Sequence, residues 1–381
     1  MPTWMTTLWN NEPGFPLRAL HQITIPGTHD AGCYVDHNFG NYLSRTQTQT
    51  IQQQLAGGIR YFDLRPYQGN WVTGRSFWTY HGPFYTGGRI DGPGGILAQV
   101  ANFMNGLGVN DRELVILNFS HFRSFGNADH VALVAAITGA LGNHLVQHTQ
   151  SAANALNLFD ATYTALLTDP ANGNLLSRVA ILYDGALDTG RENYITANVN
   201  ALPAGFFTLS PKYAPAANPI FLFDQYANSA DLAAMRADQL AKLRLRQNYP
   251  QPFSNPPANW PANAVGGVMS TLHLFSWTLT PQPYSDPITA AMNTSNPALP
   301  NLFSIGTRVV NQANQSHPCL GTDGWAAWNY DPANDFKINV LYVDHYASHS
   351  YANAASPLNN VAMPVAFAAR LNSGPVRPMT W

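Results

Sequence analysis

Eight short runs rich in β-branched and aromatic residues, each closed by Gly, Pro, Asn or Asp, set the order of the chain: HQITIPG, GIRYFDLRP, SFWTYHG, ELVILNFSH, RVAILYDG, PIFLFDQY, GVMSTLHLFSW and KINVLYVDH. Several are nearly continuous apolar stretches, the pattern of parallel strands covered on both faces rather than of sandwich strands with one wet face. Between them lie segments with helical spacing, TQTIQQQLAGG, GGILAQVANFMNGLG, ADHVALVAAITGALG and ADLAAMRADQLAKLRLRQN, several ending at Gly or Asn. Repeated strand–helix units without a long linker predict an α/β protein built as a single irregular (β/α)8 TIM-type barrel over residues 1–381, its motif-bearing core at about 20–350 and its two ends packed on it. The Pro/Asn-rich stretches at 248–265 and 281–302 interrupt the repeat. An open doubly wound sheet is the alternative, but neither a G-x-G-x-x-G fingerprint nor a P-loop follows any strand. A length of 381 residues does not force a split, since α/β barrels commonly fill such a length as one unit.

Charge narrows the partners. Only 10% of residues are charged and the net charge is −2, so no basic field draws a nucleic-acid backbone and no Lys/Arg run reads as a polybasic membrane patch. Solubility falls to Asn, Gln, Ser and Thr, a surface that suits a secreted or extracellular protein, with a cytoplasmic one as the alternative. The start, MPTWMTTLWNNEPG, has no charged region followed by an apolar one, so no signal peptide is expected in it. The apolar stretches are too short to span a bilayer. Cys33 and Cys319 permit one disulfide or two thiols, and spacing alone does not choose.

In a barrel the reacting groups sit at the C-terminal strand ends. Here those ends carry Gly27-Thr28-His29-Asp30, Asp63-Leu64-Arg65, His81-Gly82 and Asp344-His345. Closure makes the last strand the neighbour of the first, and strands about 4.8 Å apart would gather these groups into one arc of the mouth. Asp63 and Arg65 stand two apart, a spacing that puts both on one strand face. Two imidazoles, a permanent cation and several carboxylates, with no Ser or Cys nucleophile motif, suit displacement at phosphorus better than acyl transfer. Arg65 has the planar donors to match non-bridging phosphate oxygens, and a carboxylate beside each His would set its tautomer.

Six motifs in this order, IPGTHDAG, GGIRYFDLRP, YHGPF, LVILNF, FDQY and LYVDHY, resemble those of the bacterial phosphatidylinositol-specific phospholipases C, over roughly residues 20–350. The resemblance implies that His29 is the general base, His81 the general acid, Arg65 the phosphate ligand, Asp344 the carboxylate orienting the base and Asp30 the partner of the acid, with Asp63 supporting. It also implies that the inositol 2-hydroxyl of the lipid attacks phosphorus, releasing diacylglycerol and a cyclic inositol phosphate without a protein nucleophile. Calcium-dependent relatives place Asn after the first His and acidic residues where Asp63 and Arg65 stand, so no cofactor is expected, although Asp30 and Asp63 leave calcium as a minor alternative. Asp224 and Tyr226 match an inositol-contacting Asp-x-Tyr, whereas Ser120 and Asp184 stand at or near positions where the family has cations. Phosphatidylinositol or a related inositol lipid is the expected partner, met at a membrane surface by a monomer in transient contact.

Each of these signals has a plainer reading. His81 alone could be a hydrogen-bonded structural residue, Asp30 a turn cap, Asp63 and Arg65 a buried ion pair, and Asp224 and Tyr226 ordinary strand-end packing. His345/His349 have H-x3-H spacing and His144/His148 repeat it on a predicted helix, neither pair with a clear third ligand, and surface histidines are the better reading. Asn293 and Asn314 head glycosylation sequons, relevant only in a secretory host. Trp4, Trp9, Trp71, Trp78 and Trp260 could anchor an interfacial enzyme, yet indoles more often fill cores. The competing functions are a metal-dependent glycerophosphodiester-type phosphodiesterase, which chelation would reveal, and a non-catalytic lipid-binding barrel, against which the set His29, Arg65, His81 and Asp344 argues.

Overall fold

A computed structural model describes residues 3–35, 45–71, 74–82, 85–148, 160–183, 202–208, 221–224, 226–248, 271–279 and 340–344, with a few single positions besides. Asp184, His345, His349, Cys319, Trp260, Asn293 and Asn314 lie outside the described residues. In chain order the elements are α1 (Trp4–Asn11), β1 (Ile25–Thr28), α2 (Ile51–Ala56), β2 (Tyr61–Leu64), β3 (Pro66–Trp71), β4 (Gly74–His81), β5 (Tyr85–Arg89), α3 (Ile96–Asn105) and β6 (Leu114–Phe119). There follow α4 (Asn127–Leu141), α5 (Tyr163–Leu167), β7 (Arg178–Tyr183), β8 (Phe206–Thr208), β9 (Phe221–Asp224), α6 (Leu232–Asn248), β10 (Thr271–Trp277) and β11 (Val340–Val343).

Eight strands form one wholly parallel sheet in the order β8-β7-β6-β2-β1-β11-β10-β9. This is the expected irregular (β/α)8 barrel, with helices α2, α3, α4 and α6 in the crossovers. Strands β8 and β9 end the hydrogen-bonded order among the described residues. The runs LVILNF and RVAILY are buried at every position, as parallel strands between a helical layer and a filled interior must be. Helix α2 starts where the sequence signals it: Thr50 Oγ1 accepts from Gln53 N–H, and the Gln53 side chain accepts from Thr50 N–H.

One strand assignment is corrected. SFWTYHG is not the third barrel strand; it is β4, the middle of a separate antiparallel sheet β3-β4-β5 inserted after β2. Its side chains alternate, Phe77 and Thr79 buried and Trp78 and Tyr80 only half-buried, which is the signature of an antiparallel sheet with one covered face. The eighth barrel strand is instead the three-residue Phe206–Thr208. Nor do His144 and His148 share a helix, since His144 closes a 3-10 turn beyond α4 and its Nε2 lies 2.9 Å from Asn105 Oδ1.

Described residues toward each terminus touch the barrel. Trp4 is buried and donates Nε1–H to Gly58 O at 2.8 Å, so it is a core residue and not a lipid anchor. Asn372 bonds both the N–H and the carbonyl of Thr24, at 2.8 and 2.6 Å. Below the strands, Glu113 accepts from Arg60 Nε and from Thr6 of α1, all three buried. No described helix is long and apolar enough to cross a membrane.

Candidate active site

The site begins with a tight junction. In β1 a Cβ on Gly27 would stand 2.8 Å from Val340 Cγ1 and 3.0 Å from Tyr61 Cδ1, so glycine is what lets β2 and β11 approach from either side. His29 follows directly, its N–H bonded to Val343 O. The Gln47 side-chain amide donates to the carbonyls of both His29 and Val343, at 3.1 and 3.2 Å, fastening the two strand ends together.

Asp344, 315 positions away, lies one residue beyond β11, and the His29 Nδ1–H donates to its Oδ1 at 2.8 Å. That bond fixes the tautomer in which Nε2 faces the open side. Nε2 is met there by Arg65 Nη2 at 3.0 Å and Asp30 Oδ2 at 3.2 Å. Asp30 is fully buried, with φ 41° in the left-handed region that costs a non-glycine residue energy. Its Oδ1 takes Arg65 Nε at 2.7 Å, and its Oδ2 lies 3.4 Å from His81 Nε2. The His29 and His81 rings stand edge to face, 5.8 Å between centroids.

Asp63 holds this arrangement from beneath. Its Oδ2 is 3.4 Å from Arg65 Nε and accepts from Asp30 N–H at 3.3 Å and from the Tyr342 hydroxyl at 2.5 Å, while its Oδ1 accepts from Ser120 Oγ at 3.4 Å. Four strand ends, those of β1, β2, β6 and β11, thus meet at one carboxylate.

His81 reaches the site from outside the barrel. The turn after Asp30 packs backbone to backbone on β5: Gly88 N–H donates to Gly32 O at 2.7 Å, and a Cβ on Gly32 or Gly87 would lie 2.4 Å from Thr79 Oγ1. These glycines seat the antiparallel sheet close enough for its strand β4 to deliver His81 to Asp30.

Electrostatics follow from the packing. Burial lowers the His29 pKa, but Asp30 and then Asp344 outweigh it, and against Arg65 they carry it from 6.5 to about 9. The Arg65 contact at Nε2 suits the neutral ring and the carboxylates suit the charged one. Two anions against one cation decide it, so His29 is a strong base that is mostly charged at neutral pH. Burial pushes the Asp30 carboxyl up, but the neighbouring Arg65, His29 and His81 hold it below the usual range. Arg65 stays charged, because Asp30 and Asp63 outweigh its burial.

On the far side of the mouth, Asp224 ends β9, and burial together with Asp63 raises its carboxyl pKa, opposed by Arg65. Tyr226 is 57% exposed, and no contact joins it to these groups among the described residues. Trp9 packs against Tyr163, and Trp78 donates to Ser76 Oγ beneath the Arg89 guanidinium. His29, Asp30, Arg65, His81 and Asp344 therefore meet, with Asp63 as hub. Sequence reading missed Tyr342, although it stands in LYVDHY two residues before Asp344, and it missed Gln47, which nothing in a Gln/Thr-rich segment sets apart. Three of these residues, His29, Asp30 and Asp63, bring ligand-type atoms within 4.8 Å of one another, a spacing that could hold a metal ion.

No protein-family model matches the chain. Among curated proteins it is 30% identical over 166 residues to the PI-PLC X domain-containing protein 2 of Mus musculus, covering 37% of this chain and 45% of that protein. It is 31% identical over 101 residues to the 1-phosphatidylinositol phosphodiesterase of Listeria monocytogenes, covering 26% of this chain and 28% of that one. The matches thus span less than half the length of either relative. In fold it is similar to the phosphatidylinositol-specific phospholipase C of Listeria monocytogenes, with a TM-score of 0.55 at 14% identity over 98% of this chain and 99% of that one. The Staphylococcus aureus enzyme gives 0.52 at 12% identity over 96% and 97%.

Proposed function

We propose that the chain, similar in sequence and in fold to the phosphatidylinositol-specific phospholipases C, is a metal-independent phosphodiesterase of that kind, cleaving the glycerol–phosphate bond of phosphatidylinositol. The observation that carries this reading is the convergence of two imidazole Nε2 atoms on one carboxylate oxygen, Asp30 Oδ2, at 3.2 and 3.4 Å, beside the Arg65 guanidinium. A phosphate held by Arg65 then lies between a base and an acid.

In this mechanism neutral His29 takes the proton of the inositol 2-hydroxyl at Nε2 while Asp344 holds the opposite ring nitrogen. The freed oxygen attacks phosphorus, the bond to the glycerol oxygen breaks, and the leaving oxygen receives the proton of His81 Nε2. Diacylglycerol and a cyclic inositol phosphate result. Arg65 holds the non-bridging oxygens, with its planar fork fixed in advance by Asp30 and Asp63.

The metal-free part of the proposal rests on Arg65. Its Nε lies 2.7 Å from Asp30 Oδ1 and 3.4 Å from Asp63 Oδ2, so a guanidinium already supplies positive charge between the two carboxylates a cation would need. The alternative of a metal-dependent site would require that guanidinium to leave.

The test is turnover of phosphatidylinositol by His29→Ala and His81→Ala. Each variant should lose roughly 10²–10⁴-fold in kcat with the native fold retained by circular dichroism, His29→Ala melting lower because it strips a cation from the buried Asp30 and Asp344. Near-full activity in His29→Ala would overturn the assignment of the base.

A further inference from the structure

Beyond the groups given a task above, one side chain at the mouth is held in a costly conformation. His121 follows the end of β6 with φ 54°, in the left-handed region that a histidine enters only against strain. Several contacts keep it there. Its carbonyl accepts from the Tyr80 hydroxyl at 2.7 Å, and Tyr80 is the residue before His81. Its Nδ1 lies 2.9 Å from Ser120 Oγ, which in turn reaches Asp63 Oδ1 at 3.4 Å. Two residues on, Arg123 pairs its backbone with Pro66 and Gln68 of β3.

None of these contacts uses Nε2, and no described residue offers that atom a hydrogen bond. The ring is half-buried rather than covered. Through Ser120 its anchored nitrogen stands two hydrogen bonds from Asp63, the hub of the reacting end of the site. A strained backbone, one anchored ring nitrogen and one nitrogen left over describe a group whose place is set before a ligand arrives.

We infer that His121 positions the substrate head group: Nε2 meets a hydroxyl of a polyhydroxylated ring at the end of β6, beside the Asp63 hub. The inference rests on the inositol-lipid reading above and adds to it a head-group ligand that sequence analysis did not single out. His121 takes no part in proton transfer at phosphorus.

Two substitutions separate this role from a purely structural one. Asn and Gly both tolerate a positive φ, but only Asn keeps a polar head. Binding of inositol 1-phosphate and of glycerol 1-phosphate to the full-length wild type, His121→Asn and His121→Gly is measured by calorimetry, alongside initial rates on phosphatidylinositol vesicles. Inositol 1-phosphate should bind roughly tenfold more weakly to His121→Gly and within about threefold of wild type to His121→Asn. Glycerol 1-phosphate should not distinguish the three, and the rates should show a raised KM at nearly constant kcat. Equal binding of inositol 1-phosphate by wild type and His121→Gly overturns the inference, as does its failure to bind the wild type. If binding depends on His121 while the wild type turns over no phosphatidylinositol, the inference holds and the proposed activity falls.

Discussion

Asp30 lies beside two imidazoles to which the proposed mechanism gives opposite tasks, and its position explains why neither histidine can be understood alone. Its carboxylate raises the proton affinity of His29, as Asp344 does, so the proposed base is strong and carries a pKa of about 9. The pH profile of kcat/KM reports the free enzyme, and one limb of its bell should therefore lie near pH 9. Asp344→Asn removes an anion that raises this pKa, so that limb should move to lower pH; a limb that stays in place would detach Asp344 from His29. At this scale the sequence was informative where a motif and a strand end coincide: His29, Asp30, Arg65 and Asp344 could be named because a barrel places chemistry at those ends. Tyr342, Gln47 and His121 could not, since their importance lies in bonds to residues distant in sequence, or in a backbone conformation that no residue pattern announces.

The element that matters most after the barrel is the antiparallel sheet of β3, β4 and β5. It brings His81 to Asp30, and it does so through glycines: with Gly32 replaced by Ala, the new methyl would stand 2.4 Å from Thr79 Cγ2 and Oγ1. Gly32→Ala should thus push the sheet away from the turn, costing about 1–3 kcal/mol in stability. Activity should fall much further than that loss of folded protein explains. A variant melting normally with full kcat would show that the sheet can shift without carrying His81 out of reach. In the sequence this strand resembled its parallel neighbours in composition, while its alternation of buried Phe77 and Thr79 with half-buried Trp78 and Tyr80 set it apart. The short Phe206–Thr208 escaped notice because three residues carry too little periodicity to register.

Across the whole molecule, stability and chemistry sit at opposite ends of the strands. Arg60 and Glu113 precede β2 and β6 and form a buried pair with the N-terminal segment, whereas Asp63, Arg65 and Ser120 lie at or just past the other ends of the same two strands. The pairing of β1 with β11, readable from the order of apolar runs, is what turns the sequence separation of His29 and Asp344 into a 2.8 Å hydrogen bond. In the proposed mechanism Arg65 supplies the charge a metal would otherwise bring to a phosphodiester. The decisive experiment follows diacylglycerol and cyclic inositol phosphate released from phosphatidylinositol vesicles, with phosphatidylcholine in parallel and with EDTA or calcium added. Release should come from phosphatidylinositol alone and be undiminished by EDTA; activity lost to EDTA and restored by calcium would show that a metal, not Arg65 alone, carries the charge.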